Sequence, residues 1–262
     1  MTSSTSAQPR DSISAAISAA AANGRPALVG FMTAGFPDRA GFVTSLRAIA
    51  SEADVVEIGV PFSDPMADGA TIQRASFASL QGGFTLTWLL QELGAMQPRP
   101  QAPVLLMSYL NPLLAYGLER LPEAAKSAGV AGFIIPDLPF EESADMRAAL
   151  DRVGIALVQM VTPVTPDERL QMLCNASQGF VYAVTMTGTT GKSVTVPNEI
   201  LDYMDRVKAM SPVPVCAGFG IRTADHVTRM QGHVDGVVVG SALVEVLERS
   251  EDPAAFLRSL RS

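Results

Sequence analysis

Residues 27–37 read Ala-Leu-Val-Gly-Phe-Met-Thr-Ala-Gly-Phe-Pro. The run Ala27–Thr33 is apolar without alternation, the pattern of a strand buried on both faces. In a doubly wound dinucleotide-binding sheet, the turn after such a first strand carries Gly-x-Gly-x-x-Gly, which lets backbone approach a pyrophosphate. Here that turn reads Thr33-Ala34-Gly35-Phe36-Pro37, so the fingerprint is missing. A Rossmann arrangement is the runner-up, and the rest of the chain decides against it.

Outward from this run, similar short apolar segments recur at Val55–Gly59, Val104–Ser108, Gly132–Ile135, Ile155–Gln159, Phe180–Val184, Val213–Ala217 and Gly236–Val239. Helix-like stretches separate them: Arg39–Glu52, Gly69–Gln81, Thr85–Met96, Leu118–Ala128, Glu141–Arg152, Pro166–Asn175, Asn198–Met210, Thr223–Met230 and Pro253–Leu260. Strand centres lie about 20 to 35 residues apart, the spacing of βα units, except for a gap of about 50 after the second strand. That gap holds two helical stretches and reads as an insertion. Eight strands alternating with helices predict a single-domain (βα)8 TIM barrel. Ser12–Ala22, with Ile13 and Ile17 on one face and Asn23-Gly24 as a stop, predicts an extra N-terminal helix. Residues 1–10 are expected to be a disordered tail, and residues 11–262 the barrel.

Composition narrows the chemistry. The 262 residues are 48% hydrophobic and 17% charged, with a net charge of −7. Nucleic-acid binding, which needs a basic face, is disfavoured. Two cysteines, Cys174 and Cys216, are too few for a disulfide framework or a zinc site, and two histidines build neither a triad nor a metal cluster. No metal is expected, and the acid–base chemistry falls to carboxylates. No stretch reaches the roughly 20 apolar residues of a membrane span, and a cytoplasmic location is expected.

A barrel's site lies at the C-terminal ends of its strands. Glu57 sits within the apolar second strand, and no Lys or Arg lies in any of the strand cores. An unpaired carboxyl among Val and Ile is held protonated to higher pH, which suits a general acid. Asp68 ends the Pro-containing loop after it, as a second functional carboxylate or simply the N-cap of the next helix. Gly218-Phe219-Gly220 after strand seven and Gly240-Ser241 after strand eight, opening a short helix, read as a phosphate site. Thr185–Pro197, rich in Thr and Gly, reads as a lid, and Tyr182 lies just before it.

The run Val-Glu-Ile-Gly-Val-Pro-Phe-Ser-Asp-Pro-Met-Ala-Asp-Gly (56–69) closely resembles the signature of the tryptophan synthase α subunit family. Residues 106–117, 134–143, 217–221 and 240–244 resemble its other landmarks in order, so the resemblance spans about Ser12 to Leu260. It implies a carbon–carbon lyase that cleaves indole-3-glycerol phosphate to indole and glyceraldehyde 3-phosphate, with no cofactor in this chain. Glu57 matches the acid–base carboxylate, Asp68 the carboxylate facing the indole N–H, and Tyr182 a neighbour of Glu57. Gly191, Phe219, Gly220, Gly240 and Ser241 match phosphate-binding positions; Phe31, Ile72, Ile134 and Thr190 match the indole pocket. The resemblance further implies a β subunit that carries pyridoxal phosphate and receives indole in an α2β2 heterotetramer, met by Asp64, Pro65, Asn111, Asp137 and Pro139. Ser108, Ala183 and Lys192 depart from the residues usual in the family. The alternatives are a stand-alone lyase that releases free indole and a catalytically silent activator of a β subunit.

Overall fold

A computed structural model describes residues 8–185, 196–218 and 220–261. Eight strands, β1 (Ala27–Thr33), β2 (Val55–Gly59), β3 (Val104–Met107), β4 (Val130–Ile134), β5 (Ala156–Val161), β6 (Val181–Val184), β7 (Val215–Gly218) and β8 (Gly236–Val239), pair in parallel and in sequence order, and β8 closes on β1. The expected barrel is the observed one. Each strand is apolar along its length because one face packs inside the barrel and the other under the helices.

The surrounding helices are α1 (Pro9–Ala22), α2 (Phe42–Ala50), α3 (Ala70–Gln81), α4 (Leu86–Ala95), α5 (Leu110–Tyr116), α6 (Leu121–Ala128), α7 (Ala144–Val153), α8 (Asp167–Ala176), α9 (Asn198–Met210), α10 (Ala224–Met230), α11 (Ser241–Glu248) and α12 (Pro253–Ser259). The insertion after β2 is α3 and α4. α1 begins at Pro9, so Pro9 and Arg10 of the segment read as tail are helical; residues 1–7 lie outside the described residues. α1 packs on β4, β1 and β2 through the fully buried Ile13 and Ile17. Burying two such side chains contributes about 1.5–3 kcal/mol each. Its Ser14 hydroxyl donates to the Gly179 carbonyl at 2.6 Å, and its Arg10 N–H to the Gly154 carbonyl at 3.0 Å, just before β6 and β5. The helix thereby covers the end of the barrel opposite the strand C-termini.

α5 is a departure from the sequence expectation, which left residues 110–117 between strand and helix. Its seven residues include Pro112 and are too short to show a helical period. The cap comes from elsewhere in the chain: Asp137, in the connection after β4, accepts a hydrogen bond from the Leu110 N–H at 2.8 Å. That satisfies one of the first-turn donors a helix leaves open. At the opposite end of the barrel, Asp54 accepts both Arg25 guanidinium nitrogens at 2.7 and 2.8 Å and the Leu28 N–H at 2.8 Å, tying β1 to β2.

Candidate active site

Register places the functional side chains. Phe31 and Glu57 are side by side across β1 and β2, and Met160, Tyr182 and Cys216 across β5, β6 and β7. Above them, at the strand C-termini, opens a cleft of about 200 Å³. It brings together Glu57, Asp68, Tyr182, Phe31, Ile72, Gly220, Gly240 and Ser241, residues expected to share a site although they come from five strand ends. Met107, Met160, Val184 and Val238 complete its apolar wall. None of these four was expected, although the inward alternation of β5 and β6, with Met160 beside Tyr182, carried a signal for Met160. A second hollow, of about 260 Å³ between the β4–α7 connection and α8, contains neither carboxylate, and its Arg169 is tied up by Glu141.

Glu57 is fully buried, and neither carboxyl oxygen has a hydrogen-bond partner among the described residues. Burial, and then the negative charge of Asp68, push it up to about 8. The nearby basic residues are engaged elsewhere, Arg47 with the Pro98 and Gln97 carbonyls at 3.1 and 2.9 Å, Arg74 with Glu248 at 3.2 Å and Arg25 with Asp54. The carboxyl is therefore a neutral proton donor at neutral pH. Asp68 is half-buried; burial raises its pKa while a hydrogen bond from the Tyr109 hydroxyl opposes the rise. It is not the cap of α3, because Gly69 occupies that position. Tyr109 was missed by sequence reasoning. Its hydroxyl also accepts the Ala67 N–H at 2.8 Å, so one ring holds both Asp68 and its loop, 42 residues away in sequence. Burial and the charge of Glu57 keep the Tyr182 phenol well above its ordinary pKa, so it stays protonated.

Two glycines give the aromatic rings their room. A Cβ built at Gly59 would lie 2.6 Å from Phe31 Cζ, and one at Gly218 would lie 2.4 Å from Tyr182 Cε1. Gly218→Ala is expected to displace the Tyr182 ring and lower stability by about 1–3 kcal/mol, as overpacking does, measured by urea unfolding. At Gly220 and Gly240 a Cβ would meet nothing within 4 Å. Gly240 is the cap of α11 and, having no side chain, covers none of the helix's first N–H groups. Open first-turn N–H groups with a favourable dipole suit an anion there.

Other expectations fare differently. Ile134 adjoins Met107 in register, but it is fully covered and does not line the cleft. Thr190, Gly191 and Phe219 lie outside the described residues, as do 186–195 of the expected lid. Asp64, Pro65, Asn111, Asp137 and Pro139 cluster on the connections after β2, β3 and β4, beside the exposed Met66 and Leu114. Among the described residues no three His, Cys, Asp or Glu side chains converge as a metal site, and no helix is long and apolar enough to cross a membrane.

The family model described as "Tryptophan synthase alpha chain" matches residues 17–260. A tryptophan synthase alpha chain from Solidesulfovibrio magneticus is 43% identical over 243 residues, covering 92% of this chain and 95% of the relative. The tryptophan synthase a2b2 complex of Pyrococcus furiosus contains a chain that superposes with a TM-score of 0.84 at 33% identity, covering 90% of this chain and 98% of that one. An aminoacrylate-bound tryptophan synthase from M. tuberculosis gives 0.85 at 33%, covering 95% and 98%. Closed barrel, buried carboxyl and near full-length matches agree: the chain belongs to the tryptophan synthase alpha chain family.

Proposed function

We propose that Glu57 and Asp68 carry the lyase reaction of this family, the cleavage of indole-3-glycerol phosphate, in this chain. The observation that carries the assignment is the Glu57 carboxyl, fully buried, unpartnered among the described residues and raised to about 8 beside a second carboxylate. Protonated Glu57 delivers its proton to C3 of the indole ring. The positive charge that develops on the ring is stabilised by Asp68, whose carboxylate accepts from the ring N–H. The Glu57 carboxylate then takes the proton of the hydroxyl on the carbon attached to C3. That carbon becomes the aldehyde as its bond to C3 breaks, and the bonding electrons return to the ring. One carboxyl in an apolar setting and one in a polar, hydrogen-bonded setting is the division of roles such chemistry asks for.

The neutral Tyr182 ring lines the cleft with Glu57, close enough to feel its charge. Phe31 and Ile72 form the indole walls, and Gly220, Gly240 and Ser241 hold the phosphate through backbone donors. The reaction so written uses no metal and no cofactor of this chain. A β subunit bearing pyridoxal phosphate takes up the indole, docking on the face of Asp64, Pro65, Asn111, Asp137 and Pro139 in an α2β2 heterotetramer. The exposed Met66, 82% accessible, and Leu114, 48%, give that face its apolar content, and the Pyrococcus furiosus complex is a neighbour of this kind. The free, buried Cys174 and Cys216 suit a reducing cytoplasm.

The test is cleavage of indole-3-glycerol phosphate by the purified chain, with and without a β subunit. Turnover that rises at least about ten-fold on addition of the partner is expected. Full turnover without it would favour the stand-alone lyase, and none in either condition would favour a silent activator.

A further inference from the structure

We propose that the Arg222–Glu245 ion pair is a staple that fixes the spacing between the two walls of the phosphate cradle, and so sets affinity for the phosphate end of the substrate. The inference rests on the placement of phosphate at Gly220, Gly240 and Ser241 given above.

One wall is the connection after β7. Arg222 stands two residues beyond Gly220 in it. The other wall is the start of α11. Glu245 lies on that helix, one turn beyond Ser241 and on the same side. The two side chains meet as a fork: Arg222 Nη1 donates to Glu245 Oε2 at 2.8 Å, and Nη2 to Oε1 at 2.8 Å. Both ends of the staple are themselves held. The Arg222 N–H donates to His226 Nδ1 at 3.3 Å, and the Thr71 hydroxyl of α3 reaches Glu245 Oε1 at 3.4 Å. Arg249, one turn further along the chain from Glu245, is committed to Glu251 at 2.8 and 3.0 Å.

A bidentate fork constrains direction as well as distance. A cradle made of backbone donors from two separate segments binds an anion only when those segments keep their spacing, and a preformed spacing spares the ligand the cost of ordering it. The pair is partly exposed, with 43% of the Arg222 side chain and 25% of that of Glu245 accessible, so it adds little to global stability. Its carboxylate also offsets the guanidinium charge. Arg222 therefore acts as a positioning residue rather than as a cation on the phosphate.

The two roles predict opposite results for Glu245→Ala. If Arg222 were a phosphate ligand in waiting, its release would tighten phosphate binding. As a staple, its loss loosens the cradle. The dissociation constant for inorganic phosphate, measured by calorimetry on the full chain, is expected to rise about three- to five-fold in both Glu245→Ala and Arg222→Ala, the scale of one partly exposed pair. Binding of indole alone should be unchanged. KM for indole-3-glycerol phosphate should rise by the same factor while kcat stays within two-fold. The exchange Arg222→Glu/Glu245→Arg should restore phosphate binding, and thermal midpoints should confirm folding throughout. Gly240→Val, which fills the open space at the cradle, provides the control. If it abolishes phosphate binding while Glu245→Ala leaves it unchanged or tighter, the staple is overturned and the phosphate placement stands. If Gly240→Val leaves phosphate bound as in the parent, the placement falls and the staple with it.

Discussion

Replacing Glu57 by Gln is expected to lower kcat for indole-3-glycerol phosphate cleavage by at least about 10²-fold, the scale for loss of a general acid–base group. Gln keeps the shape of the side chain and still fits between Phe31 and the β3 strand, but it has no proton to deliver to C3 and takes none from the hydroxyl. Inorganic phosphate should bind the variant as it binds the parent, because the cradle at Gly220 and Gly240 is built from other strands. A pH profile sharpens the test. With its carboxyl raised to about 8, Glu57 remains protonated through neutrality, so kcat/KM of the parent should fall as pH rises beyond that value. The residual rate of the variant should show no such limb. A variant as active as the parent would remove Glu57 from the mechanism.

The same substitution is expected to change stability in the opposite direction. The folded carboxyl titrates at about 8 and the ordinary value is 4.5. Between those limits the unfolded chain has released a proton that the folded chain retains. The stabilisation linked to this proton is fully present below about pH 4.5 and is lost progressively as pH rises through about 8. At about 1.4 kcal/mol per unit, the burden on the parent at pH 8 amounts to a few kcal/mol. Gln does not titrate. The stability of Glu57→Gln relative to the parent should therefore grow steadily from pH 5 to pH 8 in urea unfolding, where Asp54 and the other groups remote from Glu57 cancel. A difference that stays constant over that range would mean that Glu57 titrates normally and finds a partner or solvent. Activity and stability are thus set against each other at one residue, as is usual where a buried group is kept unsatisfied for chemistry.

The barrel was legible because parallel strands covered on both faces leave unbroken apolar runs, and a barrel repeats that signal eight times. Glu57 was legible for a related reason: a carboxylate in such a run is conspicuous, and no basic residue accompanied it. The reading failed where tertiary contacts replace local signals. α5 has its cap supplied by Asp137, 27 residues away, and nothing in residues 110–116 announces it. Tyr109 became part of the site only through the Ala67 N–H and Asp68, a pairing that adjacency in sequence cannot reveal. Ile134 was placed in the indole pocket on resemblance, yet inward direction alone does not give access to the cleft, since neighbours can cover the side chain. The roles of the carboxylates, finally, came from the resemblance and not from any periodicity. Burial and charge then supplied their physical basis.

Asp137 has a consequence for how the partner face can be dissected by mutation. Its carboxylate faces the proposed partner and at the same time holds the first turn of the helix that carries Asn111 and Leu114 into that face. A substitution at this position therefore changes the proposed contact and the seating of the helix at once. In a mutational scan of the partner face, Asp137→Ala will unseat a neighbouring helix and report on three side chains together. Asn111 and Pro139, both exposed, are the positions at which a loss of association measures contact alone.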